Sequence, residues 1–168
     1  MKKIVLTGGP CCGKTTLANE LKKKGFCVVD ESAREFISRN RTVNTEERQK
    51  EIFLRQLEKE NLSRDELVIL DRCLIDSLAY CKVYLGYVPE LMKQDFSKKY
   101  SQVFILERFP FEADGLRVES GENEAEKIHQ TIISEYKKHG YNPITVPKME
   151  LNERVKFILS CIGGAKWT

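Results

Sequence analysis

The sequence has little of what a metal or redox site built from side chains requires. Only two of its 168 residues are histidines, His129 and His139, and none of its six cysteines forms a C-x-x-C pair. Structural zinc sites combine four closely spaced Cys or His ligands, so we expect no zinc site. Cys27, Cys73 and Cys81 stand among apolar residues, which predicts small core side chains in a reducing compartment.

Long apolar runs and a strong excess of one charge are also absent. No apolar segment approaches the ~20 residues that cross a bilayer, and the run at residues 4–6 is too short for a signal peptide. The net charge of +3 is far below the dense Lys/Arg excess of a dedicated nucleic-acid binder. We therefore expect a cytoplasmic protein with no membrane or nucleic-acid partner, whose mild positive charge suits small anionic ligands.

Short apolar runs alternate with longer helical patterns along the chain, and no internal repeat or linker interrupts them. Strands are predicted at residues 4–7, 26–29, 67–70, 103–106 and 143–146. Helices are predicted at 14–24, 32–39, 45–63, 74–85, 89–99, 122–139 and 151–162. This order predicts one α/β domain, 1–168, with a parallel sheet covered on both faces.

Polar residues follow four of the predicted strands, where parallel sheets bind their ligands. After the first strand stands GGPCCGKTT, which matches the phosphate-loop pattern G-x-x-x-x-G-K-[ST] between a strand and a helix. Glycines allow the backbone to wrap with its N–H groups inward, and the helix start favours an anion. The predicted nucleotide-binding residues are Gly8, Gly9, Pro10, Cys11, Cys12, Gly13, Lys14, Thr15 and Thr16.

Within that loop, Lys14 is expected to reach the β- and γ-phosphates and the Thr15 hydroxyl to bind Mg²⁺. The two cysteines are spacers whose backbone matters more than their sulfur. The third predicted strand ends in Asp71, the carboxylate expected near the same Mg²⁺, and Arg72 follows as a forked donor for an acceptor's phosphate or carboxylate. A surface salt bridge is the alternative for Arg72.

Two further regions contain residues suited to phosphoryl transfer. Asp30 and Glu31 end the second strand, and either could serve as general base or bind an acceptor hydroxyl, although acids also favour a helix start. Residues 107–121 form a candidate lid with Arg108 and Arg117 as phosphate clamps, or an ordinary exposed loop. His129 and His139 are expected on a solvated helix face.

Five segments together resemble the small P-loop AAA-type ATPase/kinase family, which includes relatives of the ribosylnicotinamide kinase domain of bacterial NAD-metabolism regulators. They are GGPCCGKTT, VVDESAREFI, LDRCLIDSLAYCKVY, DGLRVES and HGYNPITVPKMELNERVKFIL. The resemblance covers nearly the whole chain. It implies a three-layer P-loop kinase-like fold with sheet order 2-3-1-4-5 and binding of ATP and Mg²⁺. Asp71-Arg72 is also similar to the Asp-Arg pair of thymidylate-kinase-like enzymes, which serves acceptor and metal.

The leading hypothesis is an ATP- and Mg²⁺-dependent phosphotransferase for a small acceptor, with a nucleoside- or nucleotide-like molecule as the candidate. In it, Lys14, Thr15 and Asp71 hold nucleotide and metal, and the arginines clamp phosphates. One alternative is a nucleoside-triphosphatase in which water attacks. Another is a nucleotide-gated switch that binds a protein, although the guanine-specific N-K-x-D motif of GTPase switches is absent from the sequence.

Overall fold

The structure is a computed structural model that describes residues 1–31, 45–63, 65–112 and 119–163. The helix predicted at 32–39 lies outside these residues. The described elements are, in chain order, β1 (Lys2–Thr7), α1 (Lys14–Lys23), β2 (Cys27–Val29), α2 (Glu46–Leu62), β3 (Leu67–Asp71), α3 (Leu74–Tyr84), a short 3₁₀ helix (Glu90–Met92), β4 (Gln102–Leu106), α4 (Glu122–Lys138), β5 (Ile144–Val146) and α5 (Leu151–Cys161).

The five strands form one parallel sheet in the order β2-β3-β1-β4-β5. This confirms the predicted order 2-3-1-4-5. The register places Leu6 of β1 opposite Asp71 of β3, and Val29 of β2 opposite Leu70. Because all strands run in one direction, the segments that follow β1, β2, β3 and β4 meet at one edge of the sheet.

Helices cover both faces of the sheet, as continuous apolar strands predict. The alternation of β1 divides the core: Ile4 and Leu6 pack against α1 and α5, whereas Val5 packs in the cluster formed with α2, α3 and α4. All three strand residues are at most 3% exposed. The result is a three-layer α/β fold in which the sheet is the rigid support of its polar edge.

Local signals fix several helix ends. Thr45 caps α2 by accepting a hydrogen bond from the N–H of Arg48 at 3.3 Å, as its position before an acidic first turn predicts. Gly25 follows α1 with φ of 90°, a left-handed conformation that glycine adopts readily and that ends a helix. The sequence alone predicts both of these helix ends.

The prediction of a helix at 89–99 is wrong. Only Glu90–Met92 forms a single 3₁₀ turn, closed by the N–H of Met92 donating to the carbonyl of Pro89 at 2.9 Å. Further along, the side chain of Asp95 accepts from the N–H of Ser97 at 2.9 Å. Such local bonds from Asp compete with the helical ladder, while the buried side chains of Met92 and Phe96 hold the segment against the core without it.

Two of the three cysteines predicted in the core, Cys73 and Cys81, are 1% and 0% exposed. Cys27 is half-buried.

Of the helices described, none has the length and apolar character to cross a membrane.

Candidate functional site

The carbonyl groups of the loop between β1 and α1 accept hydrogen bonds from four donors, which are three side chains and one backbone N–H group. Lys14 Nζ donates to the carbonyls of Gly8 and Gly9 at 2.9 and 2.8 Å. The three carbonyls that follow, those of Pro10, Cys11 and Cys12, each have a separate donor. The donors are Arg108 Nε at 3.0 Å, the N–H of Phe109 at 2.8 Å and Arg154 Nη1 at 2.7 Å, respectively.

This arrangement turns the loop's N–H groups toward its concave side. A peptide unit is planar and trans, so its N–H points opposite to its C=O. With the carbonyls of Pro10, Cys11 and Cys12 engaged outside, the N–H groups of Cys11, Cys12 and Gly13 face inward and lead into the first turn of α1. Successive inward N–H groups at a helix start form a site for an anion such as phosphate.

Glycine is required in the loop for two different reasons. Gly13 precedes α1 with φ of 77°, where other L-residues are strained. Gly9 is confined by its surroundings: a Cβ there would lie 2.8 Å from His129 Cβ and 2.9 Å from Arg108 Cδ. The loop therefore lies close against β4's end and α4, as the fixed shape of an anion site demands.

A hydroxyl and a carboxylate meet beside the loop. The Thr15 hydroxyl donates to Asp71 Oδ2 at 2.9 Å, because β1 and β3 are neighbours and Thr15 is the second residue of α1, the helix that follows β1. Asp71 is 1% exposed, and its second oxygen, Oδ1, is buried with no hydrogen-bond partner among the described residues. A buried carboxylate oxygen of this kind needs a cation or water. Oxygen ligands of this type suit Mg²⁺, so the residues present fit that ion.

The surroundings of Asp71 oppose its negative charge. Burial, and then the nearby carboxylate of Glu31, raise the pKa of Asp71 to about 6, although Lys14, Arg72 and the Thr15 hydroxyl act in the opposite direction. A bound cation favours the ionised form of a carboxyl group whose pKa is raised in this way.

The two acids after β2 have separate positions. Asp30 lies at the surface, where its side chain is 58% exposed and pairs with Lys22 at 3.0 Å. Glu31 is 11% exposed, and its Oε1 lies 2.7 Å from Arg72 Nε in an ion pair. The structure thus brings Glu31, but not Asp30, to the edge that contains Asp71.

Arg72 occupies an unusual backbone conformation at that edge. Its φ is 69°, a left-handed value rarely adopted by residues with a long side chain. Its N–H donates to the carbonyl of Leu6 at 3.0 Å and its guanidinium lies 5.0 Å from the ring centroid of Tyr80. Arg72 Nη1 is buried with no hydrogen-bond partner among the residues described, so one donor remains available at the site. Such backbone strain is concentrated at functional sites.

The candidate lid is described only in part. Arg108 is 6% exposed, and besides Pro10 its guanidinium contacts Glu122 and Glu126, each at 2.9 Å. Its predicted action as a phosphate clamp requires an ion pair to open and stays a prediction. Arg117, the other predicted clamp, lies outside the described residues.

A cavity of about 410 Å³ opens beside the loop, next to Gly13 and Thr16. Arg154 of α5 forms part of its wall and lies with its guanidinium 4.8 Å from the Phe109 ring centroid. The cavity is lined by Gly13, Thr16, Phe109, Lys148, Met149, Glu150, Leu151 and Arg154. Apolar and polar side chains thus share the lining, which suits a small molecule that has both kinds of surface.

Comparison with known families bears on this arrangement. A family model described as an AAA domain matches residues 3–154, which include the loop, both strand-end acids and Arg154. The chain belongs to this AAA-domain family. None of the curated proteins matches the chain.

Solved structures share this AAA-domain chain's fold at low sequence identity. The NadR protein in complex with NR is 17% identical with a TM-score of 0.74, over 99% of this chain and 53% of NadR, so this chain spans about half of NadR's length. Deoxyadenosine kinase from M. mycoides, with dCMP and dCDP, is 17% identical with a TM-score of 0.63, over 96% and 98%. Thymidylate kinase from Candida albicans is 15% identical with a TM-score of 0.66, over 98% and 92%.

Three residues that support the AAA-domain loop were not found by sequence reasoning. His129 was predicted on a solvated face, which is wrong: it is 8% exposed and its Nδ1 accepts from the N–H of Gly9 at 3.0 Å. Arg154 contacts the loop directly through the carbonyl of Cys12, whereas Tyr136 acts through Asp76, to which its hydroxyl donates. Arg154 belongs to the fifth resembling segment, but no local pattern marks any of the three, because each contact joins residues more than 50 positions apart.

A buried carboxylate, Asp76, joins the loop's strand to α3 and α4. It accepts from the Thr7 hydroxyl, from the N–H of Cys73 at 3.0 Å and from the Tyr136 hydroxyl at 2.6 Å. Asp76 belongs to the segment DRCLIDSLAY, so a sequence signal existed for its importance. Its contacts place it in support of the loop and of the β3 end.

Proposed function

We propose that this chain is an ATP- and Mg²⁺-dependent phosphotransferase that acts on a small nucleoside- or nucleotide-like acceptor. The observation that supports it most is the convergence of three groups at one sheet edge. These are the inward-facing loop with Lys14, the Thr15–Asp71 pair, and the Glu31–Arg72 pair. A phosphate donor, a metal and an acceptor each need one of them.

The donor's phosphates would bind the inward N–H groups of the loop. Lys14 is 5% exposed and its ammonium lies across the loop on the carbonyls of Gly8 and Gly9, so it need only turn to reach an entering β- or γ-phosphate. We place the base in the cavity beside Gly13 and Thr16, where the Phe109 ring offers a stacking surface and Arg154 has two buried nitrogens, Nε and Nη2, without partners in the described chain.

Mg²⁺ would be held by Thr15 and Asp71 together with the donor's phosphates. When bound, it supplies neutralisation of the charge on the transferring group. Thr15 and Asp71 supply two oxygens at fixed separation, and the unpartnered Oδ1 of Asp71 faces no competing donor in the described residues.

The acceptor would bind at the Glu31–Arg72 pair. A glutamate held by an arginine accepts a hydroxyl proton or orients the hydroxyl. Nη1 of Arg72, which has no hydrogen-bond partner in the described part of the chain, would donate to an oxygen of the same molecule. Asp30 has no such position, since it faces solvent with Lys22. The kinases of similar fold, which act on a deoxynucleoside and a nucleotide by their names, support this class of acceptor.

The test is transfer of labelled phosphate. The protein is incubated with [γ-³²P]ATP and Mg²⁺ and with a panel of ribo- and deoxyribonucleosides and their monophosphates. We expect label on a member of the panel and ADP formation that depends on it. If labelled inorganic phosphate is instead released at the same rate whether or not any panel member is present, the result supports the nucleoside-triphosphatase alternative.

A further inference from the structure

Helix α4 contacts the phosphate loop through a side chain that the proposed reaction does not use. His129 is 8% exposed, and its Nδ1 accepts the N–H of Gly9 at 3.0 Å. An acceptor nitrogen must have a free lone pair, so this imidazole is neutral and its proton is on Nε2.

The Gly9 residue is fixed on both sides. Its N–H is bound by His129, and its carbonyl accepts from Lys14 Nζ at 2.8 Å. Its Cα also has no room to move toward α4, since a Cβ there would meet Ala125 O at 3.1 Å and His129 Cβ at 2.8 Å. The orientation of Gly9 therefore sets the position of the Lys14 ammonium.

We propose that His129 is a positioning residue of the phosphate loop: its neutral imidazole holds the Gly9 N–H, which orients the Gly9 carbonyl and the Lys14 ammonium, and protonation of the imidazole releases the loop. The inference rests on the proposed function for the identity of the ligand. It adds a dependence of nucleotide affinity on pH that originates in α4, not in the groups that touch nucleotide or metal.

The charged groups around His129 come from three elements. Glu126 lies on α4 itself, Glu107 and Arg108 follow β4, and Lys14 begins α1. Burial lowers the pKa of His129, and Arg108 and Lys14 add to that, while Glu126 and Glu107 oppose it. The imidazole is therefore neutral at neutral pH, and the loop is released only in acid, below the usual histidine value of ~6.5.

Two substitutions separate the hydrogen bond from the volume of the side chain. His129→Asn places an amide oxygen close to the position of Nδ1 and does not titrate, whereas His129→Leu fills the space without an acceptor. MgATP binding is measured by titration calorimetry for the parent and both variants at about pH 8 and about pH 5. The Gly9 amide resonance is followed in ¹⁵N NMR spectra of the same proteins.

We expect His129→Leu to bind MgATP roughly 10-fold more weakly at the higher pH, since one hydrogen bond to the loop is lost. His129→Asn should stay within about 3-fold of the parent. When the pH is lowered, the affinity for MgATP should fall about 10-fold more in the parent than in His129→Asn. The variant is the reference because its own loss of affinity includes the effect of protonating the nucleotide. The Gly9 amide resonance should move with pH in the parent but not in His129→Asn.

Equal MgATP affinity in the parent and His129→Leu, or one pH dependence for the parent and His129→Asn, would overturn the inference and leave the proposed function intact. No MgATP binding by the parent would overturn both. If His129→Leu does not fold, the pH comparison between the parent and His129→Asn decides alone.

Discussion

At the scale of single residues, two carboxylates at one sheet edge have different partners. Asp71 is 1% exposed and faces the Thr15 hydroxyl, whereas Glu31 forms an ion pair with Arg72 at 2.7 Å. The first is suited to a metal and the second to a hydroxyl proton. Burial is the main cause of the raised pKa of Asp71, and the nearby charge of Glu31 raises it further, which couples the two acids electrostatically.

Glu31→Gln tests the division between the two acids after β2. We expect kcat to fall by about 10²–10⁴, the usual contribution of a general base, with a small change in the KM for ATP. Asp30→Asn is the matched control and should leave kcat unchanged, because Asp30 faces solvent. Steady-state kinetics on the acceptor found by labelled transfer decide it, and a loss that follows Asp30 instead of Glu31 would contradict the assignment.

Asp71→Asn tests the electrostatic character of the metal site without metal. The folded-state pKa is raised to about 6 from an unfolded value of ~3.9. The folded protein thus binds more protons between these values, and its stability falls as the pH rises through this window. In EDTA at about pH 8, Asp71→Asn should therefore be more stable than the parent by up to about 3 kcal/mol, with a smaller difference near pH 5.

Urea unfolding at both pH values measures this difference, with Asp30→Asn as a control that should leave the free energy of unfolding unchanged. If Asp71→Asn were less stable than the parent at the higher pH, the surroundings of Asp71 would not oppose its negative charge, and the account of this carboxylate would be contradicted.

The sequence predicted these residues unequally well. Lys14, Thr15 and Asp71 follow from motifs in which spacing along one strand and one helix sets the geometry. Asp30 and Glu31 could not be separated, because the choice depends on the partners across the edge, Lys22 for one and Arg72 for the other. His129 was placed on the wrong face, since the element it contacts is 120 positions away.

At the scale of elements, α4 and α5 brace the loop from opposite sides of the sheet. Helix α4 holds the N–H of Gly9 through His129, and α5 holds the carbonyl of Cys12 through Arg154. Helix α4 also contacts Asp76, because the Tyr136 hydroxyl donates to this carboxylate. Asp76 in turn accepts from the Thr7 hydroxyl at the end of β1. The shape of the loop thus depends on tertiary contacts as well as on its glycines.

Tyr136→Phe tests the anchor between α4 and Asp76. Tyr136 is 0% exposed, and its hydroxyl donates to Asp76 Oδ2 at 2.6 Å and lies 2.9 Å from Cys73 Sγ. Loss of the hydroxyl leaves a buried carboxylate one donor short, which should lower the free energy of unfolding by about 1–3 kcal/mol. Tyr87→Phe, whose exposed hydroxyl contacts Glu46, is the control and should unfold at the parent's urea midpoint. If Tyr136→Phe unfolds at the parent's urea midpoint, the hydrogen bond from Tyr136 to Asp76 does not stabilise the fold as claimed.

The elements themselves followed from apolar periodicity where the pattern was long. Helices α2 and α4, with 17 residues each, were predicted to within a residue or two. The segment at 89–99 was not, since its apolar residues Met92 and Phe96 are buried at helical spacing although the backbone is turned by Pro89 and Asp95. Periodicity alone does not distinguish these two ways of burying the same residues.

At the scale of the whole molecule, the order β2-β3-β1-β4-β5 brings the site together. With β1 in the centre, the loop stands between the end of β3, which presents Asp71 and Arg72, and the end of β4, which leads to Arg108. Strand alternation predicted the parallel sheet, but the order came from the family resemblance, because alternation does not say which strands are neighbours.

The most direct measurement is MgATP binding to Lys14→Ala by titration calorimetry. Lys22→Ala, which removes an exposed lysine of the same helix, is the matched control, and thermal unfolding checks that all three proteins fold. We expect the parent and Lys22→Ala to bind alike and Lys14→Ala to bind about 10- to 100-fold more weakly, as loss of a charge-assisted hydrogen bond to phosphate requires. Undiminished affinity in a folded Lys14→Ala would contradict the assignment of residues 8–16 as the phosphate-binding loop.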